Sequence, residues 1–200
     1  MPRQLRVFSG IRPSGDLHIG NYLGAIKQWL KLQDEHEVVF GIMDEHAITT
    51  PHEPEALRKN TLETAMLYLA AGLDPTKVML MVQSQVPAHA ELAWILGTMT
   101  PVGELERITQ FKEKSRSIGA REGIMAGLLA YPILMTADIL LYQADAVPVG
   151  EDQAQHVELA RSLAERFNNR YGKTFTVPKV MLQEESARIM ALDDPSKKMS

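Results

Sequence analysis

A histidine stands inside a glycine-rich loop near the beginning of the chain. In SGIRPSGDLHIGNYLGAIKQW, residues 9–29, His18 precedes Gly20 by two positions, and a helix is predicted from Asn21. A helix N-terminus presents unpaired N–H groups and a positive dipole end to an anion, and glycine permits close backbone approach. An imidazole donor there can stabilise charge that develops on a transferred group. The residues alone leave two alternatives open, a phosphate cradle and a plain connection with a solvated histidine.

The composition predicts a globular cytoplasmic protein. The chain has 200 residues, of which 45% are hydrophobic, enough for a buried core. Its net charge of −4 is not the positive charge that is typical of a DNA-binding module. This charge does not exclude a local basic patch that binds RNA. There is no cysteine for disulfides or thiolate metal sites. We find no signal peptide and no apolar run long enough for a membrane span, so no membrane partner is expected.

The order of the predicted elements indicates an α/β fold. Strands are predicted at residues 5–9, 37–43, 77–83, 145–149 and 188–191, and residues 173–186 are interpreted as irregular. Helices are predicted at residues 21–33, 54–72, 88–97, 104–115 and 133–142, and from after residue 153 to about 169. Alternating strands and helices are typical of a Rossmann-like, doubly wound parallel sheet, here with a largely helical insertion over about residues 88–143. The loop glycines match neither GxGxxG nor GxxxxGK[ST], so a dehydrogenase-type fold and a P-loop fit poorly.

Several motifs resemble those of the class I aminoacyl-tRNA synthetases. PSGDLHIGN, residues 13–21, resembles the HIGH signature with Asn21 in the last position, and KKMS, residues 197–200, resembles the start of KMSKS. Five more stretches are similar to the tryptophanyl-tRNA synthetases, so that the resemblance covers essentially the whole chain: FSGIRPSG, DEHAIT, GELERITQFKEKS, YPILMTADILLY and VPVGEDQAQHVELAR. The resemblance implies a catalytic domain over residues 1–200. It also implies activation of L-tryptophan by ATP to tryptophanyl-adenylate and pyrophosphate, then transfer to the 2′-hydroxyl of the terminal adenosine of tRNA(Trp).

The resemblance also implies a role for individual residues. Groups that act on the reacting phosphates would be His18, Lys114 and Lys198. The ATP-binding residues would be Arg12, Pro13, Ser14, Gly20, Asn21, Gly150, Glu151, Asp152, Ile189, Lys198, Met199 and Ser200. The tryptophan-binding residues would be Phe8, Gly10, His46, Tyr131, Met135, Asp138, Val147, Val149 and Gln153. ATP would enter with Mg²⁺, held mainly by the triphosphate, and no protein metal site is expected.

The spacing of three of these residues agrees with an indole pocket. Tyr131, Met135 and Asp138 fall at i, i+4 and i+7 of one predicted helix and therefore share a face. Asp138 lies among apolar residues, where an unpaired carboxylate is costly to bury. Either an Arg or Lys of a neighbouring helix pairs with it, or it accepts the N–H of an indole, which is a donor only. The resemblance favours the indole.

The segment DEHAIT raises the alternative of a metal site at Asp44, Glu45 and His46. We interpret the segment as a strand, on which adjacent side chains face opposite ways. A joint metal site is therefore not expected, and His46 is predicted to border the substrate pocket.

The sequence departs from the family pattern at two places, and each departure predicts a change in binding or activity. Arg12 stands where many relatives have glutamine, and its longer cation favours a phosphate contact. The chain stops inside the second signature at Ser200, without its last lysine and without an anticodon-binding domain, so we expect weak activation and poor tRNA discrimination. The family implies a homodimer. The competing hypotheses are a tyrosyl-type synthetase, a small nucleotidyltransferase, and a non-catalytic fragment that binds tryptophan and ATP.

Overall fold

The structure is a computed structural model that describes residues 4–13, 22–118, 123–150 and 153–182. None of the helices in these ranges is long and apolar enough to cross a membrane. A π-helical turn (Tyr22–Ile26) leads into the first α-helix, and a 3₁₀ turn (Gln83–Gln85) follows the third strand. The remaining elements are, in chain order, β1 (Arg6–Ile11), α1 (Lys27–Glu35), β2 (Glu37–Ile42), α2 (Asp44–Ala47), α3 (Pro54–Ala70), β3 (Val78–Val82), α4 (Ala88–Gly97), α5 (Val102–Glu106), α6 (Thr109–Ile118), α7 (Ala126–Leu141), β4 (Ala146–Val149), α8 (Ala154–Tyr171) and β5 (Lys179–Leu182).

The five strands form one parallel sheet in the order β3-β2-β1-β4-β5. The chain builds outward from β1 to β3 and then returns to place β4 on the other side of β1. The strand order therefore reverses between β1 and β4, where open α/β sheets bind their ligands beyond the carboxyl ends of the strands. The predicted Rossmann-like, doubly wound fold is confirmed, with helices α4 to α7 between β3 and β4.

The strand predictions were correct in the centre of the sheet and weaker at its edges. In β2 the five residues after Glu37 are buried, as expected for a strand that is covered on both faces. In β3 only Val78 is buried, because β3 is an edge strand. Residues 173–178 are irregular as predicted, but the prediction was wrong at residues 179–182, where β5 pairs with β4 from Lys179 opposite Ala146 to Leu182 opposite Val149. The strand predicted at residues 188–191 lies outside the described residues.

Three helices differ clearly from their predicted bounds. The helix predicted at residues 21–33 is a π-helical turn followed by α1, which begins at Lys27. The helix predicted at residues 104–115 is two helices, α5 and α6, which are separated at Arg107 and Ile108. Helix α7 begins at Ala126 rather than at residue 133, and it carries Pro132 in its interior. Proline lacks an N–H and usually ends or kinks a helix, which is why the sequence pattern indicated a later start.

The buried residues form two clusters, and neighbours along a strand fall into different ones. Phe8 and Val39 belong to a cluster with α7 and α8, whereas Val7 and Val38 belong to a cluster with α1 and α3. Successive side chains of a strand point to opposite faces, so each strand contributes to both clusters. The first cluster reaches the ligand-binding edge of the sheet.

A pair of glycines makes room for one methionine in the sheet. Gly10 and Gly41 are partners across β1 and β2, and Met43, 5% exposed, lies against both. A Cβ on Gly10 would stand 2.6 Å from Cγ and Sδ of Met43 and 3.0 Å from the carbonyl oxygen of Gly41. Gly10 is thus required for close packing.

Gly10→Ala is therefore expected to lower the free energy of unfolding by about 1–3 kcal/mol through overpacking. Urea denaturation measures the change. In a Met43→Ala background the same substitution should cost much less, because the clashing side chain is gone. Gly103→Ala is the matched control: its Cβ meets nothing within 4 Å, and alanine in a helix is more stable than glycine. Equal losses for the two alanine variants would contradict the packing argument.

Candidate active site

A cavity of about 450 Å³ opens at the reversal of strand order. Its walls come from the ends of β1 and β4, from α7, and from the segments that follow β2 and β4. The elements that meet here are far apart in the chain, and the parallel sheet brings their carboxyl ends to one edge. The cavity is of the size that binds a small molecule.

The structure brings together all nine residues predicted to bind tryptophan. They line the cavity from β1, α2, α7, β4 and the start of α8: Phe8, Gly10, His46, Tyr131, Met135, Asp138, Val147, Val149 and Gln153. Two predicted ATP-binding residues, Arg12 and Gly150, also line it, whereas Pro13 is buried and does not. Their placement shows that one cavity holds these side chains. Their roles stay predictions.

Other predicted residues lie outside the described part of the chain. For Lys114 the backbone is described as part of α6, but its side chain is not. The predictions that fall wholly outside the described residues are Ser14, His18, Gly20, Asn21, Glu151, Asp152, Ile189, Lys198, Met199 and Ser200.

The cavity also has lining residues that the sequence interpretation missed. From the sequence alone, Met43 and Ile139 are expected to be ordinary core residues, and Gln110 is expected to lie on the solvated face of a helix. The full set of missed lining residues is Ser9, Ile11, Ala25, Met43, Thr49, Gln110, Ile139 and Pro148. Ile139 directly follows Asp138 and Pro148 lies between two predicted residues, so only neighbourhood in the sequence could have indicated them.

Asp138 is buried in the cavity wall and accepts several hydrogen bonds. It is 1% exposed, and three side chains donate to its carboxylate. His46 Nε2 lies 2.7 Å from Oδ2, while His89 Nδ1 at 2.7 Å and Gln83 Nε2 at 2.8 Å both contact Oδ1. Among the described residues these partners are two histidines and a glutamine, and not the Arg or Lys of the alternative. His89 and Gln83 were missed, although a histidine within the apolar sequence of α4 was the available signal.

These donors keep Asp138 ionised. Burial by itself raises the pKa of a carboxyl group, because it disfavours the charged form. Hydrogen bonds from His46 and His89 act in the opposite direction, together with their electrostatic attraction, and they hold the pKa of Asp138 below its ordinary value. The cavity wall thus carries a negatively charged acceptor at neutral pH.

His46 reaches the cavity from a short helix rather than from a strand. Asp44–Ala47 forms α2, so the expected strand geometry was wrong. Two of the side chains still point apart: Asp44 accepts hydrogen bonds from the backbone N–H and the hydroxyl of Ser84, while His46 contacts Asp138. Within the described residues, no group of three or more His, Cys, Asp or Glu side chains is arranged to hold a metal ion.

Tyr131 supplies a polar group on the same face of α7. Its hydroxyl lies 3.2 Å from Gln110 Oε1, to which it donates, and 2.9 Å from His156 Nε2. Burial raises the pKa of Tyr131 to about 12, against a lowering effect of Arg12. The phenol is therefore protonated at neutral pH. Together with Asp138, it gives the cavity polar groups among apolar walls, which suits a flat aromatic molecule that has a hydrogen-bond donor.

Comparison with known proteins decides the family. The sequence profile of the family described as tRNA synthetases class I (W and Y) matches residues 1–200. The chain belongs to this family. The letters stand for tryptophan and tyrosine, so the family covers both amino acids.

The similar curated proteins within the family carry the name tryptophan–tRNA ligase. The chain is 58% identical over 195 residues to that of Caldanaerobacter subterraneus, which covers 98% of this chain and 59% of the relative. It is 58% identical over 194 residues to that of Clostridium tetani, which covers 97% of this chain and 57% of the relative. The chain therefore spans somewhat less than three fifths of the length of these relatives.

Solved structures of the family share the fold. Tryptophanyl-tRNA synthetase from Campylobacter jejuni, in complex with ADP and tryptophan, has a TM-score of 0.89 at 44% identity, over 98% of this chain and 60% of that one. The enzyme from Mycoplasma pneumoniae has a TM-score of 0.91 at 40% identity, over 99% of this chain and 58% of that one. A tyrosyl-tRNA synthetase from Archaeoglobus fulgidus, at 22% identity and a TM-score of 0.77, shows the fold alone.

Proposed function

We propose that this chain is the amino-acid-activating part of a tryptophan–tRNA ligase. The observation that carries the proposal is the buried, ionised Asp138 on the wall of a cavity with apolar sides. An indole N–H is a donor without acceptor capacity, and a carboxylate is the matching acceptor. Relatives at 58% identity that bear this name support tryptophan over tyrosine.

The proposed substrate lies with its ring between the apolar walls and its N–H toward Asp138. Phe8, Met135, Val147 and Val149 supply these walls. The amino acid's polar end lies toward Tyr131 and Gln153. Gly10 admits the substrate close to the backbone of β1, and His46 borders the ring. Specificity follows because a site built to hydrogen-bond an N–H rejects ligands that lack one.

The proposed reaction joins the substrate carboxylate to the α-phosphate of ATP. One carboxylate oxygen attacks phosphorus, the bond to the bridging oxygen breaks, and pyrophosphate leaves. This reaction needs no enzyme nucleophile, so positioning and electrostatic stabilisation supply catalysis. By family resemblance, His18, Lys114 and Lys198 are the donors to the phosphates. Arg12, Gly150 and the remaining ATP-binding residues hold the nucleotide, and Mg²⁺ is carried mainly by the triphosphate.

The further partners are part of the same proposal. The activated tryptophan is transferred to the terminal adenosine of tRNA(Trp), and the whole protein works as a cytoplasmic homodimer. Residues 1–200 form the catalytic domain, with residues 88–143 as its helical insertion. The C. jejuni relative was solved in complex with ADP and tryptophan, which supports a nucleotide and tryptophan as the ligands of this chain.

Two measurements on this chain test the proposal. Isothermal titration calorimetry is expected to show tryptophan binding, with tyrosine and phenylalanine each weaker by about a hundredfold or more. Tryptophan-dependent exchange of pyrophosphate into ATP is expected to follow. Equal binding of tyrosine would point to the tyrosyl branch of the family, and tryptophan binding without exchange would favour a non-catalytic fragment.

A further inference from the structure

The two oxygens of Asp138 are used unequally. A carboxylate oxygen accepts about two hydrogen bonds. Oδ1 receives two, from His89 Nδ1 and Gln83 Nε2, whereas among the described residues Oδ2 receives one, from His46 Nε2. The acceptor capacity of Oδ1 is therefore filled, and the remaining capacity belongs to Oδ2.

Gln83 holds its position through both ends of its amide. It is fully buried, and while its nitrogen donates to Asp138, its oxygen accepts from the backbone N–H groups of Glu45 at 3.2 Å and His46 at 3.4 Å. The amide thus links the end of β3, the beginning of α2 and the C-terminal part of α7. Since His46 is anchored by the same amide, Gln83 also sets where the donor to Oδ2 stands.

The second ring nitrogen of His89, which does not contact Asp138, is also hydrogen-bonded. His89 is fully buried, and its Nε2 lies 3.0 Å from the hydroxyl of Tyr142. A carboxylate only accepts, so Nδ1 donates to Asp138, while Nε2 forms the hydrogen bond with the hydroxyl of Tyr142. The Tyr142 ring stacks on Phe8 at a centroid distance of 5.6 Å, and Phe8 lines the cavity. The ring of His89 is thereby fixed in one orientation.

We propose that His89 and Gln83 are positioning residues for amino-acid specificity: by occupying Oδ1 of Asp138, they turn the free acceptor of Oδ2 toward the N–H of the bound indole. The inference rests on the proposed function, because it needs a ligand whose N–H meets Asp138. It goes beyond that function by assigning specificity to two residues that do not line the cavity. Without these donors only His46 holds the carboxylate, which can then turn about its Cβ–Cγ bond and lose this orientation.

The test compares two ligands of similar shape. Tryptophan has the N–H, and β-(3-benzothienyl)alanine has sulfur in its place. His89→Leu removes the donor to Oδ1, and Gln83→Met removes the amide at a similar chain length. Calorimetry is expected to show tryptophan binding weakened about tenfold in each, with the sulfur analogue changed less than about twofold.

His89→Asn supplies the conservative rescue. Its amide nitrogen stands close to the place of Nδ1 and still donates, so tryptophan affinity is expected within about threefold of the unmodified chain. The matched control is His52→Asn, which should leave tryptophan affinity unchanged. His52 is exposed, and its Nδ1 lies 3.0 Å from the carbonyl oxygen of Thr50. If His89→Leu fails to fold, as thermal unfolding would reveal, Gln83→Met is the variant that tests the inference, with His89→Asn as the variant that keeps its donor.

Each result decides something different. Equal weakening of both ligands in His89→Leu and Gln83→Met would mean that these residues only hold the fold together, and the inference would be overturned. The same holds if neither variant changes the preference for tryptophan. If the unmodified chain itself shows no preference for tryptophan over the sulfur analogue, the contact of Asp138 with the indole fails, and both proposals fall.

Discussion

Asp138→Asn is expected to lose the preference for tryptophan over phenylalanine and to weaken tryptophan binding by about 10- to 100-fold, the range for a hydrogen bond to a charged group. Three donors, from His46, His89 and Gln83, converge on this side chain. An asparagine offers one acceptor oxygen and brings two N–H groups of its own. The amide nitrogen then faces at least one group that donates to Asp138, so that group must change its tautomer or orientation or lose its hydrogen bond.

The same substitution is expected to destabilise the fold. Removing a buried charge that is fully hydrogen-bonded costs about 3–5 kcal/mol, because the buried donors left behind lose the acceptor that they shared. Urea denaturation with and without saturating tryptophan separates the two effects: the loss of binding appears as a smaller stabilisation by the ligand.

A matched control is Asp34→Asn. Asp34 is exposed, and its carboxylate lies 2.7 Å from Nζ of Lys77 on the protein surface. Exposed ion pairs contribute little, so neither tryptophan affinity nor stability should change measurably. An Asp138→Asn variant that still prefers tryptophan over phenylalanine would refute the indole contact.

Trp29→Ala is expected to cost about 3–5 kcal/mol of unfolding free energy, as for other large buried aromatic residues. Trp29 is fully buried between α1 and the sheet. Its ring stacks on Phe40 at 4.3 Å and meets the edge of Tyr68 at 5.1 Å. The alanine leaves a cavity that these two rings border, and their positions in β2 and α3 limit how far they can close it.

The chain offers its own control, since it contains two tryptophans. Trp94 is 77% exposed, so Trp94→Ala is expected to change stability by less than about 0.5 kcal/mol. Trp29→Phe should cost clearly less than Trp29→Ala. The indole Nε1 of Trp29 is buried without a hydrogen-bond partner among the described residues, so phenylalanine removes a polar group that gains nothing there.

Chemical denaturation monitored by circular dichroism measures all three variants. In Trp94→Ala, the fluorescence of Trp29 also reports unfolding from a single buried site. If Trp29→Ala lowers the free energy of unfolding no more than Trp94→Ala does, the packing of α1 on the sheet does not stabilise the fold as the structure indicates.

Much of the fold could be predicted because its elements are long and periodic. The strand that became β2 is a continuous apolar run, and α4 was predicted with its observed bounds. The wrong predictions have local physical causes. Pro132 interrupts the helical pattern near the start of α7, and β5 is an edge strand of only four residues. So short a strand has little signal of its own, and it forms because β4 offers it a hydrogen-bonding partner.

The candidate site divides in the same way. By itself, the sequence determined that Tyr131, Met135 and Asp138 share a face, because helical periodicity is a local property, and its motifs indicated the family. Only the tertiary structure decided what holds Asp138. Its donors Gln83, His89 and His46 stand 55, 49 and 92 residues away in the chain. A hydrogen bond depends on distance and direction in space, and no local pattern encodes a contact between four separate elements.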